Sequence, residues 1–252
     1  MFPNNNLNPW LIGGRAGASA PIRLFAFPYA GGGASAYRAW NKILPGQIDA
    51  YAVQLPGRET RYAEPRITQF SAAVEAITEA IRPYLDRPFA LFGHSLGARL
   101  AFETTRQLRR LNLPMPKHLF VSSCTAPQIN KKRQIYHTLP DQDFIEAVNK
   151  LGGMPDALLQ NEELLQLVLP ILRADFNLFE TYQYMTEPVL QCPITAFGGI
   201  EDSEAMPDDV EQWQRQTTQN FRMRLFPGNH FYLNAHTNEL LSEIVRDLKH
   251  LL

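Results

Sequence analysis

Short runs of consecutive apolar residues alternate along this chain with longer stretches in which apolar positions recur every three or four. Ile22–Phe27 is a brief β-rich run that stops at Pro28 and the triplet Gly31, Gly32 and Gly33, which predicts a strand followed by a glycine loop. Residues 35–44 carry a helical pattern, and residues 48–55 read as a second strand ended by Pro56 and Gly57. Within residues 67–85, Phe70, Val74, Ile77, Ile81 and Leu85 form the stripe of an amphipathic helix whose apolar face covers a sheet. Residues 89–92 form an apolar run entering Gly93, and a helical pattern resumes over 98–111. Strands are further predicted at His118–Ser122, 193–197 and Phe221–Phe226, with a closing helix over 238–252. Strands alternating with helices predict an α/β fold, with a mostly parallel central sheet flanked by helices on both faces, as one domain over residues 1–252. Between Thr125 and Pro188 the pattern turns wholly helical, through 144–151, 162–172 and 176–185, so a helical insertion at about 127–188 is expected to sit at one end of the sheet as a lid.

Composition narrows the function classes. Hydrophobic residues make up 45% and charged residues 19% of the 252 positions, enough apolar material for a buried sheet. The 24 basic and 25 acidic side chains leave a net charge of -1, so no overall field favours nucleic acid or an anionic membrane. Cys124 and Cys192 cannot make a disulfide framework and have no close Cys/His spacing of a zinc site, which fits a reducing compartment and no metal. Residues 1–20 are an irregular leader rich in Asn and Gly, without the basic start and apolar stretch of a secretory signal. No apolar run approaches the roughly 18 residues of a membrane span. A cytoplasmic, monomeric protein is expected.

The chemistry concentrates at Gly93-His94-Ser95-Leu96-Gly97. A serine hydroxyl is a weak nucleophile until a base takes its proton, and a sharp turn from strand to helix presents its oxygen to substrate and base together. The G-x-S-x-G spacing, between an apolar run and a helical pattern, is the signature of that turn. The helix that follows aims its first amides at the place where an oxyanion forms, with Leu96 N–H one donor and Ala30 N–H, from the glycine loop, the other. The loop lacks the G-x-x-x-x-G-K-[ST] pattern of a phosphate cradle. Of six histidines, His230 is expected to be the base, since it follows the last strand in the chain order serine, acid, histidine; His236 is the reserve. His94 adjoins the nucleophile, and its side chain is expected to point away from the one beside it. Glu201 and Asp202 both end the strand before that and either could orient the base, with Asp202 preferred.

These segments together resemble the type II, or external, thioesterases that accompany nonribosomal peptide and polyketide synthases, members of the α/β-hydrolase superfamily. The resemblance runs through Pro28-Tyr29-Ala30-Gly31-Gly32, Leu55-Pro56-Gly57-Arg58-Glu59, Gly93 to Ala98, Leu172-Arg173-Ala174-Asp175-Phe176 and Gly228 to Leu233. It implies Ser95, Asp202 and His230 as a catalytic triad, separates Asp202 from Glu201, and assigns the oxyanion hole to the amides of Ala30 and Leu96. It also implies hydrolysis of acyl or aminoacyl thioesters from the phosphopantetheine arm of acyl or peptidyl carrier proteins, with no cofactor. The family often has Met where this chain has Leu96, but only the backbone is needed there. Lys131, Lys132 and Arg133 are a candidate docking patch for an acidic carrier. The competing readings are a medium-chain fatty-acyl thioesterase, a carboxylester hydrolase, and, outside enzymes, a catalytically idle scaffold subunit of a synthase.

Overall fold

The computed structural model describes residues 8–15, 20–129, 134–154 and 156–252. Among these, seven strands form one sheet: β1 (Leu11–Gly13), β2 (Ile22–Phe27), β3 (Ile48–Val53), β4 (Phe89–His94), β5 (His118–Ser122), β6 (Ile194–Gly199) and β7 (Phe221–Phe226). Their order is β1-β3-β2-β4-β5-β6-β7. Every pairing is parallel except that of β1, which runs antiparallel to β3 at the edge and lies in what reads from sequence as irregular leader.

Alternation along the strands divides the interior in two. Phe25, Phe27, Leu91, Leu119 and Val121 face a core shared with the helices Phe70–Ile81 and Leu96–Arg110. Their neighbours Leu24, Ala26, Ala90, Phe92 and Phe120 face a second core, covered by Trp40 and the closing helix Thr237–Leu248. Successive side chains on a strand point to opposite faces, and because both faces are covered the central strands β4, β5 and β6 are buried along their whole length. The region expected as one helix over 35–44 is instead a 3-10 turn, Ala34–Tyr37, and a single α-turn, Trp40–Ile43.

Between β5 and β6 the described residues form helices and no named strand. Asp141–Lys150 and Glu162–Thr181 pack around their own small core of Phe144, Val148, Met154 and Leu172. Two helices were expected where the single helix Glu162–Thr181 forms. Asn161 caps it, its side chain accepting from Leu164 N–H at 3.0 Å, and Glu162 and Glu163 complement its positive end. The polar step at Arg173 and Asp175 does not break it, because both charges find partners elsewhere: Arg173 donates to the His137 carbonyl at 2.8 Å, and Asp175 pairs with Arg58. Lys131, Lys132 and Arg133 lie outside the described residues. Among the described residues no helix is long and apolar enough to cross a membrane.

The chain leaves β2 toward β3 on one side and enters β4 on the other, which opens a crevice at the carboxyl ends of β2 and β4, where open α/β sheets place their ligands. Close packing makes this crevice possible. A Cβ built on Gly97 would lie 2.1 Å from the Phe27 carbonyl oxygen, and one on Gly93 would lie 2.1 Å from the Gly97 oxygen. Gly97→Ala is therefore expected to lose about 2 kcal/mol of stability in urea unfolding, the usual range for overpacking. Gly46→Ala, whose added carbon meets nothing nearer than 3.9 Å, serves as the control, and is expected to stay within about 0.5 kcal/mol of the parent.

Candidate active site

Ser95 stands between β4 and the helix Leu96–Arg110 with φ 55° and ψ -117°, a conformation that an L-residue keeps only when its surroundings enforce it. The two glycines supply the enforcement by letting β4, the new helix and the end of β2 close in, and Ser95 N–H donates to the Ser122 carbonyl at 2.8 Å. The serine side chain is thereby carried to the carboxyl edge of the sheet. Leu96 opens the helix, so its N–H has no intrahelical acceptor.

His230 follows β7 through Pro227, Gly228 and Asn229. Its Nδ1 lies 2.9 Å from Oδ2 and 3.1 Å from Oδ1 of Asp202, which follows β6. Donation from Nδ1–H fixes the tautomer that leaves Nε2 free to accept a proton. The Asp202 carboxylate is fully buried, whereas Glu201 is exposed. Burial by itself would raise the Asp202 pKa, but the hydrogen bond and charge of His230, with the Ala205 amide, hold it below its ordinary 3.8. Glu204 N–H and Ala205 N–H both donate to Oδ1, at 2.9 and 3.1 Å.

His94 lies under this pair, its ring centroid 5.3 Å from that of His230. Its Nδ1 shares a hydrogen bond of 2.8 Å with Ser122 Oγ, which shares another of 2.6 Å with Tyr232 OH. Burial, and after it the neighbouring His230, hold its pKa well below 6.5, so a neutral ring supports the imidazole above it. The reserve candidate His236 instead stacks near Phe226 and faces Glu239 at 3.8 Å. His118 pairs with Thr195 at the opposite end of β5, and His137 with Glu180.

Ser95, His230, Ala30 and Leu96 line one cavity of about 260 Å³, whose far wall is apolar: Val148, Leu151, Leu172, Phe176 and Phe179 from the helices between β5 and β6. Ala30 sits in a turn in which Gly32 N–H donates to the Tyr29 carbonyl at 2.9 Å and Gly31 has φ 79°, the positive value a type II turn requires at its third position. Among the described residues no cluster of His, Cys, Asp and Glu is placed to hold a metal ion. The chemical capacity of the cavity is thus an alcohol on a strained turn, an imidazole oriented by a buried carboxylate, two backbone amides, and an apolar surface for a hydrocarbon chain.

Sequence reasoning missed the support beneath these groups. His94 was placed by its position beside Ser95, and nothing in the pattern indicated that its ring would lie against that of His230. Arg58 and Asp175 belong to the runs that carried the family resemblance but had no role assigned to them. Their pairing across 117 residues leaves no local signal.

Residues 22–248 match the family model described as a thioesterase domain. The chain is 41% identical over 245 residues to the gramicidin S biosynthesis protein GrsT of Aneurinibacillus migulanus, spanning 97% of this chain and 96% of that one. It is 34% identical over 231 residues to the medium-chain S-acyl fatty acid synthase thioesterase of Homo sapiens, spanning 88% of this chain and 84% of the relative. Among solved structures, RedJ, the thioesterase from the prodiginine biosynthetic pathway in Streptomyces coelicolor, superposes with a TM-score of 0.86 at 41% identity over 91% of each chain.

The depressed pKa of Asp202 has a consequence for stability. Its folded value lies below its unfolded value, so on acidification the unfolded chain takes up the proton first. The stabilisation is fully present well above pH 3.8 and is lost as pH falls toward the depressed native value. Urea midpoints measured from pH 7 down to pH ~3 are expected to fall more steeply for the parent than for Asp202→Asn, which starts lower and has no such carboxylate to protonate. Parallel curves would contradict the pairing.

Proposed function

The chain belongs to the thioesterase family and has its α/β-hydrolase fold, and on that premise we propose that Ser95 is the nucleophile, His230 its base and Asp202 the acid orienting the base. The observation carrying this reading is the hydrogen-bonded His230–Asp202 pair lining, through His230, the same cavity as Ser95. Ser95 Oγ attacks the thioester carbonyl while His230 Nε2 takes its proton, and Asp202 stabilises the resulting imidazolium. The tetrahedral oxyanion rests on the N–H groups of Ala30 and Leu96. Collapse expels the thiol, which takes the proton from His230. Water, deprotonated by His230, then attacks the acyl-Ser95 ester, and as the bond to Oγ breaks His230 returns that proton to Ser95 and the free acid is released. The protein's own residues complete this sequence without a cofactor.

The substrate in this reading is an acyl or aminoacyl group on the phosphopantetheine arm of a carrier protein, and the role is the clearing of stalled or wrongly primed chains in nonribosomal peptide or polyketide synthesis. The similarity to proteins named for gramicidin S and prodiginine biosynthesis supports it. Residues 127–188 then serve as the lid of a single domain, with Leu172 and Phe176 contacting the acyl chain. The enzyme works as a monomer in the cytoplasm, where its two buried, unpaired cysteines stay reduced. The likeness to the human medium-chain thioesterase favours, as a second reading, release of medium-chain fatty acids.

Two experiments test these assignments. Ser95→Ala is expected to abolish fluorophosphonate labelling and to lower kcat by about 10⁴-fold or more, with the fold retained. Presented with one acyl group on a carrier protein, on free pantetheine and as an oxygen ester, the enzyme is expected to prefer the carrier-bound thioester. Equal or better turnover of the oxygen ester would overturn the thioester reading, and a preference for medium-chain acyl groups on a fatty-acid carrier would select the second one.

A further inference from the structure

Arg58 and Asp175 form a buried, bidentate ion pair, with Nη1 2.6 Å from Oδ2 and Nη2 2.7 Å from Oδ1. The side chains are 4% and 0% exposed. Replacing such a pair by apolar residues of similar size is often neutral or stabilising, so stability alone gives little reason for it. Its remaining contacts go to the loop that carries Ala30. Asp175 Oδ2 also accepts from Gly31 N–H at 2.7 Å, and Arg58 Nη1 also donates to the Gly32 carbonyl at 3.0 Å. The pair therefore holds the first and third of the peptide groups that follow Ala30, the Ala30–Gly31 group by its hydrogen and the Gly32–Gly33 group by its oxygen, while the Ala30 N–H itself is not engaged by either side chain. Leu172, one helical turn before Asp175, packs on the same place, since a Cβ on Gly31 would lie 2.4 Å from its Cδ2.

We infer that Arg58 and Asp175 are positioning residues for the reaction: together they set the direction of the Ala30 amide, so that the helix Glu162–Thr181 contributes to oxyanion stabilisation as well as to the wall of the acyl cavity. This rests on the assignment of Ser95 and Ala30 above. Groups that act only on the tetrahedral species change kcat and leave substrate binding alone, whereas a structural brace changes stability.

The test uses an alkyl trifluoromethyl ketone. Ser95 Oγ bonds to its carbonyl carbon, the hydroxyl proton passes to His230, and the carbonyl oxygen becomes the oxyanion, so its affinity reports on the two amides. In the double variant Arg58→Met/Asp175→Leu, kcat is expected to fall about tenfold or more with KM within about twofold, and ketone affinity to weaken in parallel. Thermal unfolding of the same variant establishes that it is folded. Asp175→Asn, nearly isosteric, guards against a double variant that fails to fold, and is expected to show the same division of effects at smaller size. Unchanged kcat and ketone affinity in a folded variant, or a rise in KM alone, would overturn the inference. A parent enzyme that binds the ketone no more tightly than Ser95→Ala would overturn the nucleophile assignment beneath it.

Discussion

The close approach of three backbone segments at Gly93 and Gly97 is the constraint on which the site depends. Neither position has space for a single added carbon, and the strand, the turn and the helix fit together because none is required. Ser95 is held at positive φ as a result, and the strain, of order 1–3 kcal/mol for such a residue, is sustained by the packing of β2 and β4. A half-buried hydroxyl carried to the edge of the sheet is a product of tight packing in the layer below it.

Around that fixed point the electrostatics are arranged by burial. Asp202 is removed from water yet remains ionised, because two backbone amides and the imidazole supply what solvent would have supplied. His94 is removed from water and remains neutral. One charged and one uncharged group thus flank His230 from different sides. Opposite it, Val148, Leu151, Leu172, Phe176 and Phe179 give the cavity an apolar wall.

Much of this was legible in the sequence, for identifiable reasons. Strands β2 and β5 are bounded as their apolar runs bound them, since both faces of the sheet are covered there, and β7, at the edge, keeps the predicted bounds with Arg222 and Arg224 alternating among apolar residues. Ser95, Leu96 and Ala30, which line one cavity, could be singled out because a tight turn and a glycine loop impose local composition. His230, which lines the same cavity, could be singled out by its place after the last strand. The single helix Glu162–Thr181 could not be read as continuous, since Arg173 and Asp175 interrupt its apolar stripe and their partners are remote in sequence. The short strand β1 was missed because three residues carry no periodicity, and its pairing with β3 is settled by contact alone.

The anchorage of Asp175 limits how the cavity can open. A helix tied at Asp175 by a buried bidentate pair, and resting through Leu172 on a glycine, does not lift away as a rigid flap without uncovering two charges. Its middle behaves as a fixed post. Beside that post the helix Asp141–Lys150 packs in the same small core as Leu172, separate from the cores of the sheet, so the apolar wall of the cavity is moored to the glycine loop through one helix.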